Sequence, residues 1–255
     1  MDEVMSVQRV RIGREYDEVL ADILCYPYPS HVEYKRRVEE LMKLGIEELE
    51  LVGSAHIGEV DVLGKGWAGI VVKALWRGRP CVLKIRRVDS ERESLEQEAR
   101  YNIMANCVGI GPVVYAFSRN FIVREYIEGE KISQWISKAR GGSIKHVMKN
   151  IIYQCFKLDM LGLDHGELVR PAGHVLISRD ERPYIIDFES ASISRRVRNV
   201  TSFVQYFFVR RNEASKVVED RIGGWDRDRL IEALRLYKRK PSKRALMRIL
   251  EVLGL

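Results

Sequence analysis

His165-Gly-Glu-Leu-Val-Arg-Pro-Ala-Gly-His-Val-Leu-Ile-Ser-Arg-Asp-Glu-Arg-Pro-Tyr-Ile-Ile-Asp-Phe-Glu-Ser190 is the stretch that orders the rest of the chain. A polar turn, His165 to Glu167, precedes two short apolar runs, Val175 to Ile177 and Tyr184 to Ile186. Between the runs lies Arg179 to Pro183, a charged connector that ends in proline, so the pattern predicts a β-hairpin. The second run delivers Asp187 at the end of a buried strand. A carboxylate there is costly unless a cation or hydrogen-bond donors meet it. Bound Mg²⁺ would meet it, and so would a helix N-terminus or an arginine.

Upstream stands Gly64-Lys-Gly-Trp-Ala-Gly69, followed by Ile70-Val71-Val72. In a dinucleotide-binding fingerprint the glycines open a helix. Here a β-branched run follows them, which favours strand, loop, strand. A Walker A loop would need Gly-Lys-Ser/Thr, and that sequence is missing. Glycines let backbone N–H groups approach phosphates; an ordinary hairpin turn is the bland alternative. Arg77 to Pro80 forms a turn, so Cys81 to Ile85 is the next strand and carries Lys84 between two apolar neighbours. Strand faces alternate, which leaves Lys84 either inward or in solvent.

A helix is expected from Asp89 or Ser90 to about Met104. Leu95, Ala99, Asn102 and Ile103 mark one face of it. Glu98 and Glu91 lie within or beside that arc, whereas Glu93 and Glu96 project outward. Spacing thus leaves Glu98, with Glu91 in reserve, as the inward-facing acid of this helix.

A glycine loop, a strand lysine, a polar turn and a strand-end Asp occur here in the order found in protein kinases. The chain resembles the small atypical kinases: the RIO family, the KEOPS-complex kinase and archaeal predicted serine/threonine protein kinases. The resemblance runs from Val60 to Thr201. His165-Gly-Glu-Leu stands where that family has His-Gly-Asp-Leu, and Glu98-Ala-Arg100 matches the KEOPS-type Glu-Ala-Arg. Ile186-Asp-Phe-Glu189 is also the form seen in choline and aminoglycoside phosphotransferases.

The resemblance implies an α+β, two-lobe fold with a small antiparallel β N-lobe carrying one helix and a mainly helical C-lobe. It divides the chain into an N-terminal helical extension at 1–58, an N-lobe at 59–128 and a C-lobe at 129–255. It implies ATP and Mg²⁺ as cofactors. Gly64, Lys65, Gly66 and Gly69 would cover the phosphates. Lys84, held by Glu98, would neutralise the α- and β-oxygens. Phe121 to Gly129 would form strand five and the hinge, with backbone groups of Glu125 and Ile127 on the adenine. Glu167 takes the place of the catalytic Asp, Asp187 that of the metal-binding Asp, and His165 is structural.

Three departures stand out. Glu167 is one methylene longer than Asp. The metal-binding Asn is missing, with His174 or Glu189 nearest its place; imidazole suits Mg²⁺ poorly, which favours Glu189. Arg124 falls where related kinases place an apolar residue, and an unpaired buried guanidinium is costly.

The 255 residues suffice for one two-lobed domain or two small ones, and 46% hydrophobic content can build a core. No apolar run approaches the ~20 residues of a membrane span. Met1-Asp2-Glu3 lacks a signal-peptide layout, so the expected compartment is the cytoplasm, without membrane contact. The four cysteines form no Cys-x-x-Cys pair and are expected to be reduced and mostly buried. Net charge is +7, with basic runs at 195–198, 210–211 and 238–240. Such runs usually face solvent, and RNA or ribonucleoprotein contact is the sharper alternative.

Outside the kinase-like part, Tyr16 to Leu24 reads as a helix stopped by Pro27 and Pro29, with only a weak strand signal before it at Val7, Val10 and Ile12. Ser30 caps a second helix that Gly45 closes, and Leu49 to Val52 reads as a strand. An extension packed on the N-lobe is favoured over a winged-helix cap. Ile144 to Leu158 carries a buried helical stripe, and two amphipathic helices split by Pro241 end the chain. The expected activity is a serine/threonine-type protein kinase acting on an unidentified protein or on itself. The alternatives are a nucleotide-binding pseudokinase or regulatory ATPase in a tRNA- or ribosome-associated complex, and a small-molecule kinase.

Overall fold

The computed structural model describes residues 8–255. Val7 of the weak strand signal and the Met1-Asp2-Glu3 reading lie outside the described residues. The protein is α+β with antiparallel sheets, and the chain divides into two compact units. The first comprises 1–100 and 113–126, the second 101–112 and 127–255.

In the first unit, β1 (Gln8–Arg11) leads to α1 (Glu18–Leu24) and α2 (His31–Leu44). Asp17 caps α1 and Ser30 caps α2, each accepting a backbone N–H of the first turn. Gly45 ends α2 in the left-handed conformation. Then come β2 (Ile46–Leu51), β3 (Ala55–Ile57), β4 (Val60–Val62), β5 (Gly64–Lys65), β6 (Gly69–Trp76) and β7 (Arg79–Arg86). Helix α3 (Glu96–Asn106) runs on into the second unit, and β8 (Val114–Phe117) with β9 (Phe121–Glu125) completes the first. The main sheet runs β1-β2-β6-β7-β9-β8, with β5 also on β6, and β3 pairs β4 separately.

The core of this unit joins α1 and α2 to the sheet: Leu20, Leu24, Tyr34 and Leu41 pack with Leu49, Val72, Leu83 and Phe121. Each such side chain contributes ~1.5–3 kcal/mol on burial. Arg37 of α2 is fully buried inside this core. Its guanidinium donates to the Leu24 and Arg86 carbonyls, both at 2.5 Å, and to Glu33 at 2.7 Å. Residues 8–58 thus supply two strands of the main sheet, β3 beside it, and part of the core of the first unit.

The expected start of α3 is corrected. The helix begins at Glu96, not at Asp89 or Ser90. Leu95 donates its N–H to the Arg119 carbonyl at 2.9 Å, and Ser94 Oγ accepts from Glu96 N. These tertiary and local bonds hold the preceding residues out of the helix. Glu91, the reserve partner, therefore lies outside α3.

The second unit opens with β10 (Gly129–Lys131), α4 (Ile132–Lys138) and α5 (Gly141–Leu161). In α5 the stripe Ile144, Val147, Met148, Ile151, Cys155 and Leu158 is buried. The expected hairpin forms as β11 (Val175–Ser178) and β12 (Pro183–Ile185), pairing Val175 with Ile185 and Leu176 with Tyr184. β10 adds a third strand to it. Then follow α6 (Asn199–Val204), a π-helical turn Gln205–Val209, α7 (Glu213–Ile222), α8 (Arg227–Arg239) and α9 (Lys243–Leu253). Leu230, Leu234 and Tyr237 of α8, with Leu246, Ile249, Leu250 and Leu253 of α9, close the core. Among the described residues no helix is long and apolar enough to cross a membrane. Cys25, Cys81 and Cys155 are buried and Cys107 is exposed, all as free thiols.

Candidate functional site

In the first unit the glycine segment is a strand, a turn and a strand. Gly64 and Lys65 pair with Val71 and Ile70, and Gly66 N–H donates to the Gly69 carbonyl at 2.8 Å. Trp67 at the tip is 82% exposed, an unusual place for an indole. Gly69 has a packing reason to be glycine. A Cβ there would meet the Ile85 carbonyl at 2.9 Å and Lys84 Cε at 3.2 Å. The missing side chain lets the Lys84 stem lie against the start of β6.

Lys84 points inward from β7. Its Nζ lies 2.7 Å from Glu98 Oε2, and both side chains are almost fully buried. Arg124 on β9 is buried too and finds the acidic partner it needs: its Nη1 is 3.5 Å from Glu98 Oε1. That oxygen is within ion-pair reach yet makes no hydrogen bond among the described residues. The geometry is a carboxylate between two cations, with the bonded contact made to the lysine. Glu125 ends β9, and its N–H is committed to the Val113 carbonyl at 2.8 Å.

In the second unit the turn after α5 is held by a buried polar frame. Asp159 accepts from the Tyr237 hydroxyl at 2.9 Å and from Asn199 N and Nδ2 at 3.0 and 2.8 Å. Burial raises its pKa, and these hydrogen bonds oppose the rise. Asn199 in turn accepts from His165 N–H at 2.9 Å. Asp164, also buried, meets Arg195 Nε at 3.1 Å and exchanges backbone bonds with Ser192. Gly166 bends the turn at φ +88°, where a Cβ would stand 2.6 Å from the Ser190 carbonyl. Asp164 and Asn199 are the site residues that sequence reasoning passed over. Their partners lie tens of residues away, and only the fold joins them.

His165 is fully buried. Its Nε2 is 3.0 Å from the Ile186 carbonyl and therefore carries the hydrogen. Nδ1 has no hydrogen-bond partner among the described residues. Burial, reinforced by His174, pushes the imidazole down to about 4, so it is neutral near pH 7. The carboxylates of Glu167 and Asp187 both act on it electrostatically. Glu167 is half-buried in the turn, and Ile127 begins the longer segment of the second unit.

Asp187 follows β12 with φ +68° and ψ +76°. A non-glycine residue in this region is uncommon, and such conformations cluster at functional sites. His174 Nε2 lies 3.9 Å from Asp187 Oδ2. Asp187 and Glu189 each bring a carboxylate oxygen within 4.8 Å of the other. Two carboxylates are hard oxygen donors of the kind Mg²⁺ takes, whereas the imidazole is not. The donor set fits Mg²⁺ through Asp187 and Glu189.

No family model matches the chain. It is similar to the uncharacterized protein MJ1211 of Methanocaldococcus jannaschii, with 29% identity over 116 residues. The match covers 45% of this chain and 98% of that protein.

Proposed function

We propose that this protein is an ATP- and Mg²⁺-dependent phosphotransferase of minimal kinase form, passing the γ-phosphate of ATP to a hydroxyl on a protein. In this reading the first unit is the small lobe and the second the large lobe. The observation that carries it is the Lys84–Glu98 ion pair, buried against Gly69. A buried ion pair adds little net stability, which supports a functional use for it, and phosphate oxygens are a fitting one.

Each residue then has a task. Glycines 64, 66 and 69 leave the loop without side chains, so that its backbone covers the phosphates. Lys84, oriented by Glu98, balances charge on the α- and β-oxygens. Asp187 and Glu189 hold Mg²⁺, whose contribution when bound is to neutralise the phosphate oxygens. Glu167 accepts the proton of the acceptor hydroxyl as its oxygen bonds to the γ-phosphorus. The bond from that phosphorus to the bridging oxygen breaks, and ADP leaves with the electron pair. His165, neutral and hydrogen-bonded to the backbone, holds the turn and takes no proton.

The test is a thermal-shift titration with Mg·ATP on wild type, Lys84→Ala and Asp187→Ala, alongside transfer of labelled γ-phosphate. A shift and transfer in wild type, lost in both variants, is expected. No shift in wild type, or full transfer by Asp187→Ala, overturns the assignment.

A second reading is a nucleotide-binding regulatory protein without transfer. Glu167 in place of Asp favours it, since a displacement on the order of 1 Å in a reacting group can cost ~10²-fold. A thermal shift with no transfer, unrescued by Glu167→Asp, selects it.

A further inference from the structure

The three basic runs converge in the second unit. Arg198 at the start of α6, Arg210 after the π-helical turn, and Arg235 and Lys238 on α8 all line one cavity of about 590 Å³. Residues 231, 234, 235 and 238 share one face of α8 by helical spacing. Thr201 and Ser202 of α6 line the same cavity, and both are largely buried.

Its charge is one-sided. No carboxylate lines it. Among the described residues, none of the four cations has a carboxylate within ion-pair distance. The chain has 36 acidic residues against 43 basic ones, so acids to interleave are not scarce. Four like charges around a concavity repel each other and focus a positive potential into it. The walls between them are apolar, from Val169, Val209 and Leu234, which weakens screening. The volume is that of a small-molecule site. No aromatic ring lines it, so nothing offers a nucleobase a stacking platform. Three of the four cations are arginines, whose forked donors match phosphate oxygens. A π-helical turn of this kind recurs at functional sites.

We propose that this cavity binds a small anion carrying two or more phosphate groups. It is separate from the candidate kinase residues and does not depend on their chemistry. One hydrogen bond, Arg210 Nη1 to the Val169 carbonyl at 3.3 Å, links it to the turn that carries Glu167.

The test is isothermal titration of the full chain with tripolyphosphate. Saturable one-to-one binding is expected, weakened roughly tenfold or more in Arg235→Gln/Lys238→Gln by loss of charge-assisted hydrogen bonds. Neither side chain makes an ion pair or hydrogen bond among the described residues, so the thermal midpoint of the ligand-free double variant should not fall below that of wild type. Lys84→Ala must retain the binding, which separates this site from any nucleotide site. No saturable binding in wild type, or equal binding by the double variant, overturns the proposal. So does a short single-stranded RNA that competes for the cavity and binds more tightly, because the ligand class is then nucleic acid.

Discussion

Arg124 and Glu98 face one another inside the first unit, Nη1 3.5 Å from Oε1, while the other oxygen of Glu98 holds Lys84 at 2.7 Å. One carboxylate serves two buried cations. Glu98→Ala should therefore destabilise by about 3–5 kcal/mol, since it leaves the buried guanidinium of Arg124 uncompensated. Arg124→Met keeps the lysine pair and should cost no more than about 1 kcal/mol. Urea midpoints of the two variants would settle the order; equal losses would show that Glu98 is not the hub.

Gly166→Ala combines a positive φ with a Cβ 2.6 Å from the Ser190 carbonyl. The backbone must move, and the expected loss is roughly 2–3 kcal/mol. A crystal structure or urea titration showing an unchanged turn at unchanged stability would contradict this.

His165 makes stability depend on pH. Its folded pKa, near 4, lies below the ordinary 6.5, so the unfolded chain binds more protons between these values. Stability is therefore fully present above 6.5 and falls as pH drops toward 4, by about 3 kcal/mol for this group. Comparing His165→Gln with wild type by urea unfolding at several pH values isolates the effect. Parallel pH curves for the two proteins would rule it out.

Arg37 clamps three segments from α2, donating to the Leu24 and Arg86 carbonyls and to the Asn120 side-chain amide oxygen. Arg37→Ala strands those acceptors in the core, and a loss of about 3 kcal/mol or more is expected. Arg37→Lys should recover little, because an ammonium cannot span the fork. Thermal unfolding of both variants measures this, and recovery by lysine would refute the clamp.

Much of this arrangement is legible in the sequence where a signal is long or locally fixed. Helices α2, α5, α8 and α9 have strong periodicity, and Ser30 and Gly45 mark both ends of α2. Glu98 could be chosen as the partner of Lys84 because helical spacing sets it apart from Glu93 and Glu96, and the Glu-Ala-Arg resemblance sets it above Glu91. The start of α3 was not legible, since a bond from Leu95 to Arg119 sets it. Short elements escaped too: β3, β10, α6 and α7 gain their stability from neighbours rather than from pattern. The partner of Arg124 depends on how β9 lies against α3, and the meeting of the basic runs on how α6 lies against α8. Neither relation has a local sequence signal.

The place of β2 between β1 and β6 has a practical consequence. Trimming the chain to residue 59 would strip the outer strands and bare the hydrogen-bonding rim of β6, together with the apolar face that α1 and α2 cover. An open rim of that kind recruits further strands, so such a fragment should precipitate or self-associate rather than persist as a working miniature.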